Sequence, residues 1–115
     1  MKGMTDKYKI DEFIDSHKDE MIGFLEELIR IPSVRGEQKP GMPYDEEIDR
    51  VLRFAGGTAE KMGFKTENFD NRVKLIKLGA GERKLGILCH LDVVEVNAEK
   101  WETPPFEPVI KDGMI

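Results

Sequence analysis

Leu85-Gly86-Ile87-Leu88-Cys89-His90-Leu91-Asp92-Val93-Val94 is the stretch on which the fold turns. An apolar run that stops abruptly at His-x-Asp predicts a buried strand, spanning 84–90, that delivers polar side chains to its tip. Side chains alternate along extended chain, so His90 and Asp92 point the same way if that geometry continues through them. One imidazole nitrogen is then available to a metal while Asp92 accepts a hydrogen bond from the other. The plainer reading is an ordinary hydrogen-bonded pair at a strand end. The tripeptide alone favours the plainer reading, because so short a pattern recurs by chance.

Upstream, the apolar period is helical. Ile10, Phe13, Ile14, Met21, Leu25, Leu28 and Ile29 predict helix from about 10 to 30, and Ser16 with Asp19 resembles a capping box that restarts it, giving a short helix and then a longer one. Pro32 disfavours helix at Ile31 and ends the element. Residues 32–43, with Pro32, Gly36, Pro40, Gly41 and Pro43, read as a loop. A second helix fits 44–62, with Ile48, Val51, Leu52, Ala55, Ala59 and Met62 on one stripe and Gly63 as its stop. The internal Gly56-Gly57 pair costs that helix about 1 kcal/mol per glycine relative to alanine.

After Gly63 the period changes to that of strands. Phe64 to Phe69 and Arg72 to Leu78 are joined by Asp70-Asn71, and Gly79-Ala80-Gly81-Glu82 turns the chain into the central apolar run. Such a run fits a strand covered by helices on both faces. The whole predicts an α/β or α+β layered domain, and of the two an α/β class fold, a layered sheet with helices, is taken as the expectation. Beyond it, 93–108 is an irregular excursion with Trp101, Pro104, Pro105 and Phe106; Val109-Ile110-Lys111 reads as a strand and Asp112-Gly113 as a hairpin turn. A return strand is expected to begin at Met114-Ile115, so the sequence is expected to stop inside a structural unit, with an unpaired edge available for self-association.

Composition narrows the function. The 115 residues, 39% hydrophobic and 36% charged, suffice for one small domain with a core rather than a disordered chain. A net charge of -5 with no basic block argues against nucleic acid as a partner. The single cysteine, Cys89, excludes an internal disulfide framework and fits a reducing compartment. Met1 to Asp11 lacks the apolar centre of a signal peptide and no stretch has the length of a membrane span, so a cytoplasmic protein without membrane contact is expected.

Other candidate chemistry has plain structural explanations. Gly79-Ala80-Gly81 lacks the third glycine and helix of a dinucleotide loop and the Gly-Lys-Ser/Thr of a phosphate loop, which favours a turn over a nucleotide-binding domain. Trp101 and Phe106 form either an aromatic ligand platform or packing over the strand ends, and packing is favoured. Cys89 has no second histidine nearby to activate it and reads as a small buried residue. His17 reads as a surface residue, and Glu26 and Glu27, as helix neighbours, do not face each other. The two serines, Ser16 and Ser33, lie in no Gly-x-Ser-x-Gly elbow, and His-Glu-x-x-His is absent, which leaves metal chemistry through His90.

In longer context the motifs resemble one family. His90-Leu91-Asp92-Val93-Val94, Trp101, Pro105-Phe106-Glu107-Pro108 and Ile110-Lys111-Asp112-Gly113, in that order, are similar to the zinc metallopeptidases that include aminoacylases, acetylornithine deacetylase, succinyl-diaminopimelate desuccinylase and carboxypeptidase G. Leu28-Ile29-Arg30-Ile31-Pro32-Ser33-Val34, Met62-Gly63-Phe64-Lys65-Thr66-Glu67-Asn68 and the Leu85-Gly86-Ile87-Leu88 strand resemble the bacterial Xaa-His dipeptidase branch. The resemblance runs from about residue 10 to the last residue. It implies that residues 1–115 are the N-terminal portion of a catalytic domain whose remainder, with a lid or dimerisation domain, is absent.

It further implies a two-zinc hydrolase of dipeptides or short amides in which a metal-activated water attacks the peptide carbonyl, assisted by a glutamate base. His90 then corresponds to a zinc ligand and Asp92 to the catalytic-site residue that orients its imidazole. The other ligands, the bridging aspartate and the base would lie outside this sequence, and catalytic zinc ordinarily takes about three protein ligands. The chain alone is therefore expected to be inactive. Three local departures stand out: Glu95 where the family has proline, Cys89 where glycine is common, and Arg72-Val73-Lys74 in place of a glycine-containing segment. The alternative outside enzymology is an interaction module that pairs through its open sheet edge.

Overall fold

The computed structural model describes the backbone of residues 2–115 and side chains from Asp6 onward. Met1, the first residue of the stretch read for a leader, lies outside the described residues. Three helices, α1 (Lys2–Ser16), α2 (Lys18–Ile29) and α3 (Glu46–Lys61), precede a hairpin of β1 (Lys65–Phe69) and β2 (Val73–Lys77). Helices and a sheet are thus combined, as an α/β class requires, with a sheet of two antiparallel strands.

The first helical region is broken where expected, by a different device. Ser16 caps nothing downstream: its hydroxyl donates back to the Phe13 carbonyl at 2.9 Å. The residue at the N-cap of α2 is His17, which makes no side-chain capping bond; its ring stacks on Phe13 with centroids 4.1 Å apart. That contact leaves His17 half-buried rather than freely exposed. The first helix is also the longer one, and its Ile10, Phe13 and Ile14 face solvent instead of joining the core. Glu26 and Glu27 pair separately with Arg30 at 3.5 and 2.7 Å.

The core gathers around α3. Ile48, Val51, Leu52 and Ala59 recur on its inner stripe and are buried together with Ile31, whereas Met62 at its end is exposed. Asp45 precedes the helix at φ 79°, its carboxylate accepting the Glu46 N–H at 2.8 Å and receiving the Lys39 ammonium at 2.7 Å. Gly63 at φ 93° ends it. The glycine pair inside the helix has a partial explanation: a Cβ on Gly56 would meet the Lys74 side chain of β2 at 3.0 Å, so the bare backbone lets that stem cross. Nothing within 4 Å requires glycine at position 57.

The hairpin follows its turn chemistry. Asp70 and Asn71 both have positive φ, as primed hairpin turns need, and the register runs from Lys65 opposite Lys77 to Phe69 opposite Val73. Asn71 also fastens the turn to the preceding loop by donating to the Gly41 carbonyl at 2.6 Å, and Arg72 donates to the Tyr44 hydroxyl at 3.0 Å.

The central apolar run departs from expectation. Residues 84–90 make no strand ladder, and the run is solvent-exposed rather than buried, Leu88 being 99% accessible. An apolar run becomes a buried strand only when neighbours supply ladder hydrogen bonds and both faces are covered. Among the described residues β1 and β2 pair only with each other. The Val109–Lys111 strand is likewise reduced to one bridge, in which Lys111 and Met114 exchange bonds of 2.9 and 3.0 Å across Asp112-Gly113. The turn itself forms, with positive φ at both residues.

Candidate functional site

The structure brings the two sequence-derived candidates together. His90 Nδ1 lies 2.9 Å from the Asp92 main-chain carbonyl and 3.3 Å from its Oδ1. A neutral imidazole that donates from Nδ1 to these oxygens carries its free lone pair on Nε2, the nitrogen that points away from Asp92's grip. Both side chains are accessible, at 83% and 63%. The pair sits at the end of the exposed run, where the chain forms no ladder and the two residues are in direct contact.

The segment is anchored just beyond His90. Ser33, on the loop after α2, is only 3% exposed; its hydroxyl donates to the Leu91 carbonyl at 2.8 Å. Its own carbonyl accepts the Val93 N–H at 3.0 Å, and Val34 and Val93 form a parallel bridge. Sequence reading considered Ser33 as a nucleophile and as part of the Leu28–Val34 resemblance, and gave it no anchoring role. The signal that could have found it is its place directly after Ile31-Pro32, where the helix ends and the chain turns towards a neighbouring segment.

His90 also contributes to the wall of an open apolar cleft of about 570 Å³, whose other walls include Leu25, Leu28, Val51, Trp101 and Phe106. Trp101 and Phe106 thus face the same cleft as the His-x-Asp tip, and Trp101 stays half exposed. Cys89 is exposed, not buried, because the run that carries it is uncovered. Gly79 and Gly81 adopt positive φ, and no helix begins directly after them in the chain, so no helix N-terminus faces a phosphate there.

A zinc ion does not fit these residues by themselves. Among the described residues no group of three or more His, Cys, Asp or Glu side chains converges. The tip offers one imidazole with a carboxylate behind it, fewer than the roughly three protein ligands of catalytic zinc. Among the described residues, no helix is long and apolar enough to cross a membrane.

With the geometry in place, the relatives define a class: the chain is similar to proteins named putative dipeptidases. It is 36% identical over 100 residues to putative dipeptidase YtjP of Bacillus subtilis, covering 85% of this chain and 21% of that protein. It is 34% identical over 106 residues to a putative dipeptidase of Staphylococcus aureus strain USA300, covering 90% of this chain and 22% of the relative. The chain therefore spans about a fifth of the length of the curated relatives it matches. No protein-family model matches the chain.

Proposed function

We propose that this chain is the N-terminal portion of the catalytic domain of a cytoplasmic, zinc-dependent dipeptidase, acting on dipeptides or short amides. His90 is a metal ligand through Nε2, Asp92 holds its imidazole, and the 115 residues alone do not hydrolyse peptides. The observation that carries the reading is the His90–Asp92 contact in a chain about one-third identical, over most of its length, to proteins named putative dipeptidases. The shortage of ligands among the described residues supports inactivity of the chain by itself. The aromatic-walled cleft beside His90 suits the apolar parts of a small amide.

The test is a chimera in which residues 1–115 replace the matching segment of the Bacillus subtilis relative. With zinc supplied, the chimera is expected to hydrolyse dipeptides where the isolated chain does not. Asp92→Ala should then lower activity by about 10–100-fold, as loss of a residue that orients a metal-bound imidazole does, and His90→Ala should lower it further. A folded chimera that stays inert beside an active parent would overturn the reading.

A second reading rests on the uncovered backbone at 84–90 and the bare Lys111–Met114 bridge: an interaction module that pairs with another copy or partner through a strand edge. Light scattering separates the two. Concentration-dependent dimers favour the module, and a monomer counts against it.

A further inference from the structure

We infer that Ser33 is the positioning residue of the His90–Asp92 pair. Two hydrogen bonds from this one residue bracket Asp92, the side chain holding the Leu91 carbonyl and the main chain holding the Val93 N–H. Among the described residues these two bonds, with the parallel Val34–Val93 bridge beside them, tie 84–94 to the rest of the chain. Both oxygens that face His90 Nδ1 belong to Asp92, so fixing residues 91 and 93 fixes the direction of both acceptors. The side-chain donor is nearly sealed from solvent, whereas the pair it positions is open to solvent. A part-buried hydroxyl bond of this kind holds its partner with less competition from water than an exposed one. Fixing the acceptors fixes the imidazole tautomer, and with it the nitrogen left available to a ligand.

The catalytic meaning of this clamp rests on the dipeptidase reading; its geometry does not. The test is nitrogen-edited NMR on the whole 115-residue chain, without metal, at a pH where the His90 ring is neutral. Ser33→Ala, and separately the similarly sized weak donor Ser33→Cys kept reduced, should speed exchange of the Val93 amide by about tenfold, the worth of one such hydrogen bond. Both should also blur the His90 ring-nitrogen shifts from one tautomer towards a mixture, while the Val51 and Leu52 amides of α3 keep their protection. Unchanged Val93 exchange and an unchanged tautomer in both variants would overturn the inference, as would an equal loss across α3, which would make Ser33 a general packing residue. In the chimera, Ser33→Ala should lower kcat more than it raises KM. An inert unmutated chimera would sink the dipeptidase reading and leave the NMR result to judge Ser33 by itself.

Discussion

The α3–β1–β2 unit and the run at 84–90 are both rich in apolar residues, yet only the stripe of α3 folds inward, while Phe69, Val73, Leu75 and Ile76 of the hairpin stay exposed. In the unit every boundary is set locally: Asp45 at the helix start, Gly63 at its end, Asp70-Asn71 in the turn. Val51 is 2% exposed there, while Leu88 in the run is 99% exposed. Hydrophobic residues specify burial only where the chain also brings a second surface to them. Among the described residues the run is attached at its far end, where Ser33 grips residues 91 and 93. The candidate site lies at that attached end and not in the uncovered middle.

The sharpest way to break this comparison is to truncate one leucine in each region. Leu52→Ala should lower the unfolding free energy by about 2–4 kcal/mol, as loss of a buried leucine side chain does. Urea melts followed by circular dichroism measure it, and a negligible change would mean that the α3 core is not the stable part.

A smaller effect should appear with acid. The Lys39 hydrogen bond, with help from the Glu46 N–H, holds the Asp45 carboxyl below its ordinary value. A carboxyl lowered in the folded state contributes stability that is fully present above the usual carboxylate range and is lost as pH falls through the lowered value. Lys39→Met should therefore flatten the fall in the urea midpoint between neutral and acid pH. The same slope in both proteins would remove Lys39 from the account.

Leu88→Ala should do least, changing stability by no more than about 0.5 kcal/mol, as at an exposed position. A loss like that of Leu52→Ala would show that the run is covered in solution and that the two regions are alike.

What the sequence made legible follows the same division. Gly63, Asp70-Asn71 and Asp112-Gly113 act within a few residues, and each ends or turns the chain where it was read to do so. The break near Ser16 was also legible, though the hydroxyl closes the preceding helix instead of opening the next. The 84–90 strand and the burial of Cys89 were misread because both depend on neighbours that a local pattern does not contain. The spacing of His90 and Asp92 drew attention to them, only the family resemblance gave them a site role, and the structure adds their contact. The anchoring role of Ser33 was missed because the partner of its hydroxyl, Leu91, lies 58 residues away.

Amide exchange across the whole chain tests the central claim most directly: that the His-x-Asp tip is held in place although the run leading to it is not. The account predicts strong protection in α3 and in the β1–β2 ladder, little between Gly86 and Cys89, and protection returning at Val93. Protection at 86–89 equal to that of β1 and β2, or none at Val93, would contradict it.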